Sequence, residues 1–208
     1  AFFNRQDIAA RRSLFMPVNR SVPDVAEKRK NWNGLISGFR ASDLVFLDES
    51  GCNTDMTRRY AYSLGGSRAV DSAPLSKPKN TTILSSIQLD GTLHYTTFSG
   101  GTTVERFKQY LKTDLLPHLN GDSVLVMDNM KSHHAKAVKN LLDSSGVRYV
   151  YLPPYSPDLN PIEKLWSKVK SLLRKFKART LDALPNAIQN AFHSVTVSDC
   201  SGWFRFCG

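Results

Sequence analysis

Cysteine is scarce in this chain of 208 residues: only Cys52, Cys200 and Cys207 occur. An odd set with no CxxC pair excludes a disulfide framework or a thiolate zinc site, and points to a reducing compartment. Long apolar runs are missing too. No stretch reaches the ~18 consecutive apolar residues of a membrane span, and no signal-peptide pattern opens the chain, so the expectation is an intracellular, soluble protein. The glycines of SLGGS (63–67) lack the lysine of a phosphate-binding loop, which argues against nucleotide binding. Internal repeats and low-complexity tracts are absent. Acids are in deficit, with 18 Asp and Glu against 28 Lys and Arg, a net charge of +10 and a pI near 9.7.

That imbalance favours a polyanionic partner over an acidic one, with nucleic acid the obvious class. At 41% hydrophobic and 10% aromatic residues the composition is that of a folded protein, and the length suits one well-buried domain. Residues 1–40 show little periodicity beyond PDVAEKRKNW, and are read as a linker or the end of an upstream module. The chain opens at Ala1 with no initiator Met, in keeping with that reading.

From residue 41 the pattern sharpens. DLVFLDE (43–49) is an apolar run closed by acids, and TTILSSIQLDGTLHYTTFSG (81–100) reads as a hairpin turning at Asp90-Gly91. A helix follows, from a capping box at Thr102 and Glu105 to Pro117, with Val104, Phe107, Leu111 and Leu115 at helical intervals. SVLVMDN (123–129) is another buried strand ending in an acid, HAKAVKNLLDSSG (134–146) a helix stopped by Gly146, and VRYVYL (147–152) a further strand. Helices from Pro161 to Phe176 and from Leu181 to Phe192 complete the reading. A hairpin followed by alternating strand and helix predicts an α/β fold with a mixed sheet covered by helices.

Asp48 and Asp128 close two of these apolar runs, and ligands of open α/β sheets collect beyond the carboxyl ends of parallel strands. Residues 129–162, one helix, one strand and a proline-rich loop, return the chain to that edge and present Glu163. In PPYSPDLNPIEKLW (153–166), Asn160 suits an N-cap, Pro161 the first helical position and Glu163 the third. Taken singly, each acid has an ordinary structural explanation as a strand-end, turn or helix-start residue. Three convergent carboxylates without a competing His or Cys set suit Mg²⁺ or Mn²⁺, and two such ions roughly 4 Å apart would serve phosphodiester chemistry.

Along the last motif's helix, Ile162, Leu165, Trp166, Val169, Leu172, Leu173 and Phe176 form one core-facing stripe. Lys170 and Arg174 fall on the flank of Glu163 and are expected to meet phosphate. Lys164, Lys168 and Lys175 take the other flank, facing solvent, where Lys164 and Lys168 would add weaker contacts to DNA. Glu49 should point to the opposite side of its strand from Asp48. His133 and His134 are read as helix-start residues, His133 being also a secondary site candidate. Asn129 would orient substrate or make an Asx turn, and Asp158 shapes the Ser-Pro-Asp turn.

FLDESG, VMDN followed by His, and LPPYSPDLNPIEKLW together resemble the DDE catalytic domain of mariner-superfamily transposases, especially the bacterial insertion-sequence branch. The resemblance runs from about residue 40 to the end. It implies an RNase H-like, retroviral-integrase-like fold with a five-stranded mixed sheet over residues 41–208, with residues 1–40 a linker or the tail of an N-terminal DNA-binding region. It also implies that Asp48, Asp128 and Glu163 bind two divalent ions and catalyse cleavage at transposon ends, followed by transfer of the 3′-hydroxyl to target DNA. The partners implied are transposon-end and target DNA and further copies of the chain in a synaptic complex, in a bacterial cytoplasm with the nucleoid, or in a nucleus. Tyr62 stands where relatives often carry tryptophan. Two other readings stay open: a metal-dependent nuclease of the same fold without strand transfer, and a DNA-binding relative without catalysis.

Overall fold

The structure is a computed structural model that describes residues 23–57 and 78–208, with only 63, 65, 68, 70 and 72 between. Tyr62 and most of SLGGS lie outside the described residues. Five strands, β1 (Leu44–Cys52), β2 (Thr81–Ile87), β3 (Leu93–Ser99), β4 (Val124–Met127) and β5 (Arg148–Tyr151), form one sheet in the order β3-β2-β1-β4-β5. The hairpin and its pairing to β1 are antiparallel, whereas β1, β4 and β5 run parallel, so the expected mixed five-stranded sheet is met. Gly91 turns the hairpin at φ +90°, a conformation that side chains with a Cβ rarely adopt.

Alternation along the strands divides the core in two. Leu44, Phe46, Val124 and Val126 face α1 (Pro23–Ile36), α4 (Ile162–Phe176), α5 (Leu184–His193) and α6 (Val197–Cys207). Val45, Leu47, Leu125 and Met127 face α2 (Val104–Tyr110) and α3 (Lys136–Ser145). α1 places Trp32 in the first of these cores, which ties the end of the expected linker to the sheet. It is fastened again by Arg29, whose guanidinium pairs with Asp158 at 2.7 Å and donates to the Ser156 hydroxyl in the proline-rich loop. Asp158 therefore does more than shape a turn.

Several boundaries differ from expectation. Thr103, not Thr102, caps α2 by accepting from the Arg106 amide, and the helix continues through a wider π turn (Leu111–Leu115). α3 and α5 begin later than expected, at Lys136 and Leu184. α4 starts at Ile162 without a side-chain cap: the Asn160 carbonyl accepts from the Glu163 amide, while the Asn160 side chain is buried with its Oδ1 unpartnered. Phe176, at the end of the predicted stripe, is 41% exposed. α6 has no counterpart among the expected elements. A reciprocal capping box starts it, with the Thr196 hydroxyl accepting from the Asp199 amide and the Asp199 carboxylate accepting from the Thr196 amide.

Candidate active site

The sheet register explains why the two aspartates meet. Leu47 of β1 pairs with Met127 of β4, and Asp48 and Asp128 each stand one residue further on. Neighbouring strands lie about 4.8 Å apart, so both acids emerge at the same level of the same sheet edge. Both follow residues of the α2–α3 side, so alternation turns them toward α4. β4 ends at Met127, but β1 continues to Cys52 against β2, opening a notch beside Asp48. The proline-rich loop then delivers the first turn of α4, and Glu163 with it, to the rim of that notch. Asp48, Asp128 and Glu163 line one cavity of about 430 Å³, together with Asn129, Asn160 and the loop from Pro153 to Pro157. Tyr155, half-exposed on its lip, holds a positive φ of 55°, a conformation unusual for a bulky side chain.

Each acid has a different environment. Asp48 is only 8% exposed. One oxygen accepts from the Glu49 amide at 2.8 Å and the other from the Trp166 indole N–H at 3.1 Å. Burial pushes its carboxyl up to about 7 against those two donors, and the charges of Asp128 and Glu163 add to the rise. Asp128 is half-buried. Its Oδ1 accepts from the Met130 amide at 3.0 Å and meets His133 Nδ1 at 2.8 Å. Burial raises Asp128, but the His133 hydrogen bond, the Met130 amide and the His133 charge outweigh it and leave the carboxyl below its usual range. Glu163 stands on the open side of the cavity, where partial enclosure raises it, Lys170 lowers it and Asp128 raises it, for a net rise.

His133 is a correction to the helix-start reading. It is fully buried, stacked on Phe107 at 4.2 Å, and set between Asp128 and the Oε2 of Glu49 at 3.2 Å. The Glu49 approach is an ion pair without hydrogen-bond alignment, since neither atom has a well-directed partner there. Burial opposes the imidazolium, but the hydrogen bond to Asp128 and the charges of Glu49 and Asp128 prevail and lift it to about 9. Glu49 thus sits, as alternation predicts, across the sheet from Asp48, serving His133. His134 is exposed, stacks on Tyr151 and approaches Asn129 Oδ1 at 3.2 Å. Asn129 donates to the Leu152 carbonyl, which ties the ends of β4 and β5 together beside the cavity.

The two flanks of α4 separate as expected, although the outer one is not simply solvated. Lys170 and Arg174 line a depression next to the site with Asn53, Asp55 and Thr57. Lys168 is paired with Asp199, and Lys164 lies 3.9 Å from the Phe206 ring centre, so both are engaged by α6 in a different groove. The unforeseen helix is the physical reason: it covers a flank that otherwise faces water.

Among the described residues no three His, Cys, Asp or Glu side chains already close on one metal-sized point. The donor chemistry nevertheless fits a divalent cation. Three carboxylates share a cavity, and burial together with their mutual repulsion holds Asp48 near 7. Of the two Asp128 oxygens, Oδ1 is the one that the Met130 amide and His133 engage. Oxygen-only donors with surplus negative charge suit Mg²⁺ or Mn²⁺.

Residues 43–185 match the model of the DDE superfamily endonuclease family, and the chain belongs to that family. The Transposable element Tc1 transposase of Caenorhabditis elegans is 29% identical over 92 residues, covering 44% of this chain and 34% of that protein. The Mos1 transposase paired-end complex with left transposon end superposes with a TM-score of 0.75 at 20% identity, covering 89% of this chain and 59% of that one. The Mos1 mariner paired end complex with Mn gives 0.72 at 20% identity, covering 89% and 60%. The fold is RNase H-like, as in those structures. The chain spans about a third of the Tc1 transposase and under two thirds of the Mos1 chain.

Proposed function

We propose that this chain carries the catalytic domain of a cut-and-paste DNA transposase, from the bacterial insertion-sequence branch of the mariner superfamily. The observation that carries the reading is the meeting of Asp48, Asp128 and Glu163, from three elements, in one cavity inside the family-matched segment. The branch rests on the resemblance of the three acid-bearing motifs and on the gap, residues 129–162, between the last two acids. Residues 41–208 form the catalytic unit in this reading, and residues 1–40 the tail of a region that binds transposon ends. The compartment in this reading is the one that holds the DNA, the bacterial cytoplasm or, in a eukaryote, the nucleus. Among the described residues no helix is long and apolar enough to cross a membrane.

In the reaction, water oxygen bonds to phosphorus as the P–O3′ bond breaks, releasing a 3′-hydroxyl and a proton to solvent. That hydroxyl then attacks a target phosphodiester, forming a new P–O3′ bond and freeing the target's own 3′ oxygen. Asp48, Asp128 and Glu163 would hold two Mg²⁺ or Mn²⁺ ions, which supply nucleophile activation and charge neutralisation at phosphorus. Asp128 is held ionised by His133 and so is ready to bind a cation at neutral pH. Lys170 and Arg174, on the same flank as Glu163, are placed to meet the phosphates that lead away from the cut. Lys168, already matched by Asp199, contributes less. DNA ends, target DNA and a second copy of the chain are the partners.

The test supplies pre-cut oligonucleotides bearing 3′-hydroxyls together with a supercoiled plasmid and Mg²⁺ or Mn²⁺. Joined products are expected, and Glu163→Gln should abolish them. Nicks without joining would indicate the nuclease reading, and binding without either would indicate a non-catalytic relative. Lys170→Ala with Arg174→Ala should weaken DNA binding across many sequences and lower the slope of log K against log salt by about 2, one for each phosphate no longer neutralised.

A further inference from the structure

Glu163 and Trp166 lie one helical turn apart on α4, and they do different things to the same cavity. Glu163 faces its open side. Trp166 is 4% exposed, packed edge-on against Phe192 of α5 with ring centres 6.5 Å apart, and its indole N–H reaches Asp48 Oδ2 at 3.1 Å. The other oxygen of Asp48 is taken by the adjacent Glu49 amide. Rotation of the Asp48 carboxylate is therefore stopped at both oxygens, once by its own strand and once by the helix that brings Glu163. Resting on the reading of the three acids as cation ligands, we propose that Trp166 is a positioning residue for the metal site. Its indole N–H fixes the Asp48 carboxylate in the orientation that lets Asp48 and Glu163 bind one cation cluster.

An indole suits this task for a chemical reason. It donates only, carries no charge and does not titrate, so it orients a carboxylate without competing for the cation or neutralising the ligand. Because Trp166 and Glu163 share one rigid turn, any movement of α4 along the sheet carries the orienting donor and the third acid together. Their spacing is a property of the helix, about 1.5 Å of rise per residue, and not of the loop before it. Each oxygen of Asp48 also keeps a lone pair after its hydrogen bond, so the contact leaves room for a cation.

The first experiment measures Mn²⁺ binding to the whole chain by the loss of the free-ion electron paramagnetic resonance signal. Trp166→Phe keeps an aromatic ring in the core and deletes the donor. It should raise the Mn²⁺ dissociation constant about tenfold, the worth of one hydrogen bond to a charged group. Cleavage should then need correspondingly more metal to reach half its maximal rate, while the rate at saturating metal changes far less. Trp203→Phe, remote on α6, should change neither quantity. A dissociation constant for Trp166→Phe within twofold of the wild type would overturn the inference, whatever happens to the melting temperature.

The wild-type chain gives a second measurement that needs no folded variant. The Trp166 indole N–H resonance should be protected from solvent exchange, and should move on addition of Mg²⁺; an exchanging or unmoved resonance overturns the inference. Asp48→Asn separates the two layers. If wild type and Asp48→Asn bind Mn²⁺ equally, the metal-site reading itself fails, and the positioning role with it. If Asp48→Asn abolishes binding and Trp166→Phe does not weaken it, only the role of Trp166 falls.

Discussion

Asp48 and Asp128 leave neighbouring strands at the same level, yet their carboxyl groups are held by donors of different kinds. Asp48 is buried, and burial outweighs its two neutral donors, a backbone amide and an indole, so its carboxyl rises to about 7. Asp128 is less buried and meets an imidazolium, so it falls below its usual range. Neutral donors give direction without charge, whereas a cation gives both. The pair shows that equivalent positions in a sheet can be shifted in opposite directions by their surroundings: burial beneath α4 for one, and the buried His133–Glu49 pair for the other.

Substituting each acid breaks the comparison most sharply. Asp48→Asn and Asp128→Asn should both reduce Mg²⁺-dependent cleavage by at least about 10²–10³-fold, measured on a plasmid nicking assay. In the metal-free protein they should diverge. At pH 8 Asp48→Asn is expected to raise the melting temperature by removing a buried charge, and Asp128→Asn to lower it by leaving His133 short of a partner.

His133→Ala comes next, because it leaves Glu49 enclosed without its cation. A loss of about 3–5 kcal/mol is expected in urea unfolding, and Glu49→Leu in the same chain should recover part of it. A comparable loss in the double variant would mean that packing, not the ion pair, dominates.

The pH dependence of the metal-free protein sharpens the contrast further. Asp48 has a folded value near 7 against an ordinary 3.8, so the native state holds the extra proton. Its contribution is lost as pH rises from about 4 to 7, by at most about 4 kcal/mol. His133 stabilises fully below its ordinary 6.5 and loses that contribution as pH rises through about 9. Asp128, shifted downward, acts in the opposite sense: its contribution is present above the ordinary carboxylate value and fades on acidification. Urea midpoints should therefore fall between about pH 5 and pH 9, and saturating Mg²⁺ should flatten the fall. The smallest effect belongs to Lys168→Ala, expected within about 1 kcal/mol for a partly exposed pair, with the salt slope of DNA binding changed less than by loss of Lys170 or Arg174.

Much of this architecture was legible in the residues. The apolar runs ending in Asp48 and Asp128, the Asp90-Gly91 turn, and the alternation of strand with helix carried the sheet, because burial periodicity is a local property. Glu163 was legible through its proline-rich approach. What escaped depends on distant partners. The Trp166 bond to Asp48 joins residues 118 apart, and Trp166 reads in the sequence as one more member of an apolar stripe. His133 sits in a polar run and gives no sign of burial until Glu49 and Phe107 are brought to it. α6 has weak apolar periodicity and a glycine, Gly202, within it. The spacing of Thr196 and Asp199 is its one local signal, and without α6 in place Lys164 and Lys168 read as facing water.

The two adjacent acids of β1 tie chemistry to chain length. Asp48 serves one face of the sheet and Glu49 the other, so deleting or inserting a single residue in the stretch before them would exchange their sides. Glutamate would then project toward the indole, aspartate toward the imidazole, and every apolar neighbour would be reversed as well. Frame-preserving indels of one codon in Leu44–Leu47 should thus be among the least tolerated changes in the gene, although they alter no functional side chain.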